Sequence, residues 1–315
     1  MVETEPLIRW PQPLIEYLGF AAVFLSAGAV GFRYAALRRL EAAMSGTPAA
    51  GERTLVASAL ARAAALGLAG ALLAAGLLAS RLPELAARRH VSVSQLVTGS
   101  APLAVQAGLT LVTLAGFALA LGRRASGWPL AAIGVVAGSL RSGFFAQWTR
   151  MVNPIHELAG GLWIGTLFVL VIAGISPVLR SALPPERRGA LVAHLVAGFS
   201  PLALGAASAL ALFGVITAWL HLKVLSALWT TPYGYALIAK LGVVLSVVAL
   251  GAWNWRRQKP RLGDVEAARA LRRTARAELL LAGLVLAVTS ILVSLPSPKP
   301  PAAPAAGESA APAAP

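Results

Sequence analysis

Charge along this chain is gathered into short clusters, and long apolar stretches run between them. Residues 103–121 and 279–295 contain no ionisable side chain at all. Each is long enough, or nearly so, to cross a hydrocarbon core that takes about 20 apolar residues as a helix. The hydropathy pattern predicts eight such spans, at residues 13–37, 55–79, 101–121, 128–146, 154–175, 191–220, 234–253 and 277–295. The fold class is therefore all-α, a polytopic transmembrane helical bundle of about eight spans. Residues 1–150 carry the first four, residues 151–295 the second four, and residues 296–315 form a proline- and alanine-rich tail that cannot build a packed core and is expected to be disordered.

Composition agrees with this pattern. The 315 residues are 57% hydrophobic and 12% charged, against about 25% charged in soluble domains, which excludes an ordinary soluble enzyme. The net charge of +15 would suggest nucleic acid in a soluble protein, but its distribution follows membrane topology instead. With the N-terminus outside, the inner segments hold Arg33, Arg38, Arg39, Arg53, Arg123, Arg124, Arg180, Arg187, Arg188 and the basic cluster of residues 256–276. The outer segments hold Arg9, Arg81, Arg88, Arg89, Arg141, Arg150, Lys223 and Lys299, so the positive-inside bias is roughly two to one and both termini are expected outside. Glu3 and Glu5 stand where a signal peptide would be basic, so the first span is expected to stay in the protein. The chain has no cysteine, which leaves any metal chemistry to His, Met and carboxylate. No nucleotide-binding loop is present, and nothing marks an enzyme.

Ionisable residues inside the membrane are costly and usually mark function. Here they are Glu16, Arg62, Arg141, His156, Glu157, His194, His221, Lys240 and Glu278. In the expected topology Glu16, Arg141, His156, Glu157, His221 and Lys240 fall in the outer half, and Arg62, His194 and Glu278 toward the inner surface. In "VNPIHELAGGLWIG", residues 152–165, His156, Gly160 and Trp163 share one helical face, while the pair Gly161 and Gly165 lies on roughly the opposite face, where another helix can approach closely. Pro201 interrupts the long sixth span. Lys240 sits shallow enough for its stem to snorkel outward, with Glu16 at similar depth as its expected counter-charge. A haem held by two histidines would need them on facing helices at one depth, which among these residues only His156 with His221 or His90 would satisfy.

The ordered set His156, Trp163, Gly165, Phe199, Ser200, Gly214, Trp219, Thr231, Pro232, Tyr233, Gly234, Lys240 and Asn254 resembles the copper resistance protein D family of bacterial inner-membrane proteins, over about residues 153–257. Two features depart from the family pattern: residues 140–148 lack a histidine often found there, and Pro201 replaces a basic residue. The resemblance implies a multi-pass protein of the inner (plasma) membrane that moves copper as its substrate, commonly with a periplasmic copper-binding partner of the CopC type. Imidazole suits copper, so His156, Glu157, Met151 and His221 become the candidate ligands of an outward-facing site, with Lys240, Glu16, Trp163 and Tyr233 as polar residues of the path or of the structure. A b-type cytochrome-like electron-transfer subunit and a non-transporting partner of a periplasmic copper carrier remain the alternative readings.

Overall fold

The computed structural model describes residues 7–44, 50–144, 148–222, 224–258, 261 and 263–296. The tail from residue 297, together with Glu3, Glu5, Lys223, Lys299 and part of the inner basic cluster, lies outside the described residues. Among those described, eight long helices follow one another and no strand occurs: α1 (Gln12–Ala43), α2 (Gly51–Arg88), α3 (Ala101–Leu121), α4 (Gly127–Leu140), α5 (Thr149–Arg180), α6 (Pro185–Leu222), α7 (Pro232–Arg257) and α8 (Val265–Ser294). Seven of them are long and apolar enough to cross a membrane. The exception is α4, whose 14 residues reach about 21 Å before a 3₁₀ turn continues it over Arg141–Phe144. It pairs closely with α3 through small residues: a side chain on Gly116 or Gly127 would run into the backbone of Ala131 or Ala120. Phe117 and Trp128 close this hairpin edge to face, with ring centroids 6.1 Å apart.

Helix α5 is the centre of the bundle. Val169, Leu170, Val171, Ala173, Gly174 and Ile175 are all buried there, whereas α6 and α7 present Leu204, Leu212, Val215, Tyr235, Leu241 and Leu245 outward. The Gly161 and Gly165 pair makes that central position possible. Gly165 lies against the Phe24 carbonyl and Gly28 of α1, and Gly161 against Ala27, so two backbones touch without side chains between them. Helix α5 widens into π-helical turns at Gly161–Gly165 and Leu170–Ile175. Similar turns occur at Phe32–Leu37 in α1 and Asn254–Gln258 at the end of α7.

Local chemistry sets the helix starts. The "TTPYG" segment opens α7: Thr231 accepts from the Gly234 N–H at 3.0 Å, and Pro232 supplies a first-turn residue that has no N–H to satisfy. Gly234 is required because a side chain there would strike the carbonyls of Ala227 and Leu228. Asp264 caps α8 by accepting from the Glu266 N–H at 3.2 Å. These caps place α7 and α8 as an antiparallel pair in which the start of α7 meets the end of α8 at Tyr233, Leu237 and Leu292.

Candidate functional site

The first two turns of α5 carry the polar residues singled out in the sequence, and neighbouring positions point to different sides of the helix. His156 faces α6. Its Nδ1 lies 2.9 Å from the Leu210 carbonyl oxygen; a carbonyl only accepts, so Nδ1 carries the hydrogen, and in the neutral ring Nε2 keeps its lone pair. The approach depends on Gly214, where an added Cβ would stand 2.9 Å from His156 Cε1 and 3.3 Å from Nδ1. One turn earlier Thr217 donates to Asn153 Oδ1 at 2.9 Å, which holds α5 and α6 in the same antiparallel register. Lys240, half-buried on α7, lies within electrostatic reach of the imidazole. Lys240 forms no hydrogen bond or ion pair among the described residues.

Glu157 turns the other way, within electrostatic reach of Arg141 and Glu16. Glu16 in turn accepts from Gln12 and stands 4.0 Å from the Arg81 guanidinium, while Arg141 donates to the Gly138 carbonyl at 2.6 Å. Two carboxylates and two guanidiniums from α1, α2, the end of α4 and α5 thus stand in one region, and Glu16–Arg81 is the ion pair formed among these four. The pairing expected between Glu16 and Lys240 is not formed: Glu16 takes Arg81 as its partner, and Lys240 forms no ion pair among the described residues.

The remaining candidates do not converge on His156. His221 occupies the same face of α6 but seven residues beyond Gly214, about 10 Å further along the axis. Its Nδ1 contacts the Thr217 carbonyl at 2.8 Å, and its ring stacks on buried Tyr233 with centroids 6.3 Å apart. His156 and His221 therefore sit at different depths, and the geometry offers no axial pair for a haem. The Met151 thioether rests on Gly143 at the edge of an apolar groove lined by Ile133, Val136 and Leu140 of α4. Trp163 packs, partly buried, against the core; the π-helical turn at Gly161–Gly165 interrupts the 3.6-residue phase that would set it beneath His156. Among the described residues no three histidine or carboxylate side chains gather as a metal cage. What the site offers an ion is one oriented imidazole nitrogen beside a fixed positive charge.

Sequence reasoning named Gly214 without its role and missed Leu210 and Arg81. Leu210 acts through its backbone carbonyl, which leaves no mark in residue type. Arg81 had been counted only as a loop charge, and it becomes a partner because α2 runs without a break to Arg88.

The fold and this site define a polytopic α-helical membrane protein with an imidazole held near one end of its central helix. The family model for copper resistance protein D matches residues 193–292, which include His221, Lys240, Asn254 and Glu278 but begin after His156. Copper transport protein CutJ of Bacillus subtilis (strain 168) is 29% identical over 154 residues, covering 48% of this chain and 26% of CutJ. The aligned part thus spans about a quarter of that relative's length. No solved structure matches the chain. Over residues 193–292 the chain is thus similar to the copper resistance protein D family, and in part to a copper transport protein.

Proposed function

We propose that this protein moves copper across the bacterial inner membrane, that it acts as a transporter and not an enzyme, and that His156 is the first ligand the ion meets from the periplasmic side. The observation that carries this reading is the His156–Leu210 contact over Gly214. Metal-ligating histidines characteristically donate their second ring N–H to a carbonyl or carboxylate, which fixes the ring and the tautomer; Leu210 does this here, and imidazole is a good copper ligand. A single protein ligand suits an ion in passage better than a resident one. Lys240 adds a fixed positive charge on the same side, which shortens the stay of a cation at Nε2. A periplasmic carrier of the CopC type would supply the remaining ligands and hand the ion over at the outer end of α5.

Copper uptake into proteoliposomes tests the reading. His156→Ala is expected to cut uptake by about tenfold or more, the scale on which supporting groups around metal ligands already act. Uptake equal to wild type would make His156 structural. Copper binding without uptake in the wild type would favour the non-transporting partner.

A further inference from the structure

The polar residues described so far cluster at one end of the bundle, but one buried polar pair lies at the other. Glu278 on α8 and Asn254 on α7 are each 6% exposed. Asn254 Nδ2 donates to Glu278 Oε1, and the other carboxyl oxygen, Oε2, lies beside Gly251, one turn earlier on α7. Asn254 Oδ1 is buried with no hydrogen-bond partner. The acceptor Oδ1 is thus buried without a donor beside a buried carboxylate, which is costly in an apolar setting.

No basic group resolves this. The charged or titratable groups on this half of the surrounding elements are Glu266, Arg269, Arg272, Arg273 and Arg276 on α8 itself, Arg256 and Arg257 at the end of α7, Arg180 at the end of α5, Glu186, Arg187, Arg188 and His194 on α6, and Arg33, Tyr34, Arg38, Arg39 and Glu41 on α1; Arg33 pairs with Glu41 and Arg269 with Glu266. Arg257 lies over the Trp253 ring at 4.9 Å, Arg180 donates to the Ser176 carbonyl at 3.2 Å, Arg188 donates to the Leu179 carbonyl at 3.0 Å, and Arg187 pairs with Glu52. Among the described residues, Asn254 is the one hydrogen-bond partner of Glu278. On α1, Glu16 lies in the opposite half of the bundle.

We propose that Glu278 and Asn254 form a proton-binding site at the arginine-rich end of the α7–α8 pair. The reaction is the addition of one proton from water to the Glu278 carboxylate. The new O–H donates to Asn254 Oδ1 while Asn254 Nδ2 goes on donating to the second carboxyl oxygen, so an acid–amide pair with two hydrogen bonds replaces a buried charge with an orphaned carbonyl. Exposed Trp253 and Trp255 flank Asn254 and mark the interfacial depth at which such side chains gather, so water is close by. The π-helical turn Asn254–Gln258 is the segment this pair ties to α8. Loss of the proton loosens that tie at the opposite end of the helix that carries Lys240.

Infrared spectroscopy of the purified full-length protein, in H₂O and D₂O across a pH series, tests this without copper. The wild type should show at neutral pH a C=O stretch of a protonated carboxylic acid that shifts in D₂O. Glu278→Gln, which keeps both hydrogen bonds of the pair and so should fold, should remove that band, and Asn254→Leu should move it to the frequency of an unbonded acid. A wild-type protein with no such band at neutral pH, a band unchanged in Glu278→Gln, or one unmoved in a folded Asn254→Leu protein each overturns the proposal. The result is independent of whether His156 handles copper.

Discussion

The two flanks of α5 near its start differ in how they treat charge. On the flank facing α1, α2 and α4, Glu157, Glu16, Arg81 and Arg141 balance each other. On the flank facing α6 and α7, His156 is held by a neutral carbonyl and stands near a Lys240 that has no bonded partner among the described residues. A balanced network holds helices together and is hard to perturb electrically. An oriented lone pair next to an uncompensated charge is poised to respond to an arriving ion. Adjacent residues in one helix, about 100° apart in direction, thus serve different purposes.

If the flanks differ in this way, substitutions should separate them. The largest effect is expected for His156→Ala, with uptake down by about tenfold or more and the thermal midpoint close to wild type; equal losses of uptake and stability would erase the distinction. Gly214→Leu should come next, because its side chain would push the imidazole off the Leu210 carbonyl. Uptake several-fold lower in a folded protein is the expected outcome, and copper titration should show weakened binding. Lys240→Met removes the neighbouring charge and should tighten copper binding by a few-fold, on the scale of about 1 kcal/mol for partly screened charges; unchanged affinity would detach Lys240 from the site.

Smaller effects belong to the network flank. Glu157→Gln, which removes a charge that forms no ion pair among the described residues, should change stability by no more than about 1 kcal/mol and leave copper uptake within about twofold, read from thermal unfolding and the vesicle assay together. Arg81→Ala should do least. Its guanidinium is more than half exposed and 4.0 Å from Glu16, so a loss within about 0.5 kcal/mol is expected. A larger loss of transport than of stability in either variant would join the two flanks into one path.

Much of the architecture was legible in the residues. The spans at 13–37, 55–79 and 101–121 lie within or coincide with α1, α2 and α3, and "TTPYG" is the cap of α7 because Thr231, Pro232 and Gly234 each meet a separate steric or hydrogen-bonding need. The close approach of α1 to Gly161 and Gly165 also followed from residue size. The partner of Glu16 did not, because which charges meet is a matter of bundle order, and hydropathy carries none. The phase between His156 and Trp163 is altered for a local reason: a 3.6-residue period cannot anticipate the π-helical turn at Gly161–Gly165.

By itself the sequence determined that this chain is a bundle of membrane helices, roughly where they run, and which few polar residues they carry. In lipid the backbone must satisfy its own hydrogen bonds, so apolar length alone dictates helix. Only the tertiary structure decided that His156 meets Leu210 across Gly214, that Glu157 turns to Arg141, that Lys240 stands without a bonded partner and that Glu278 meets Asn254. Those meetings depend on how each helix is rotated and which neighbours it has, and both are set by backbone-to-backbone packing at small residues and not by the polar side chains themselves.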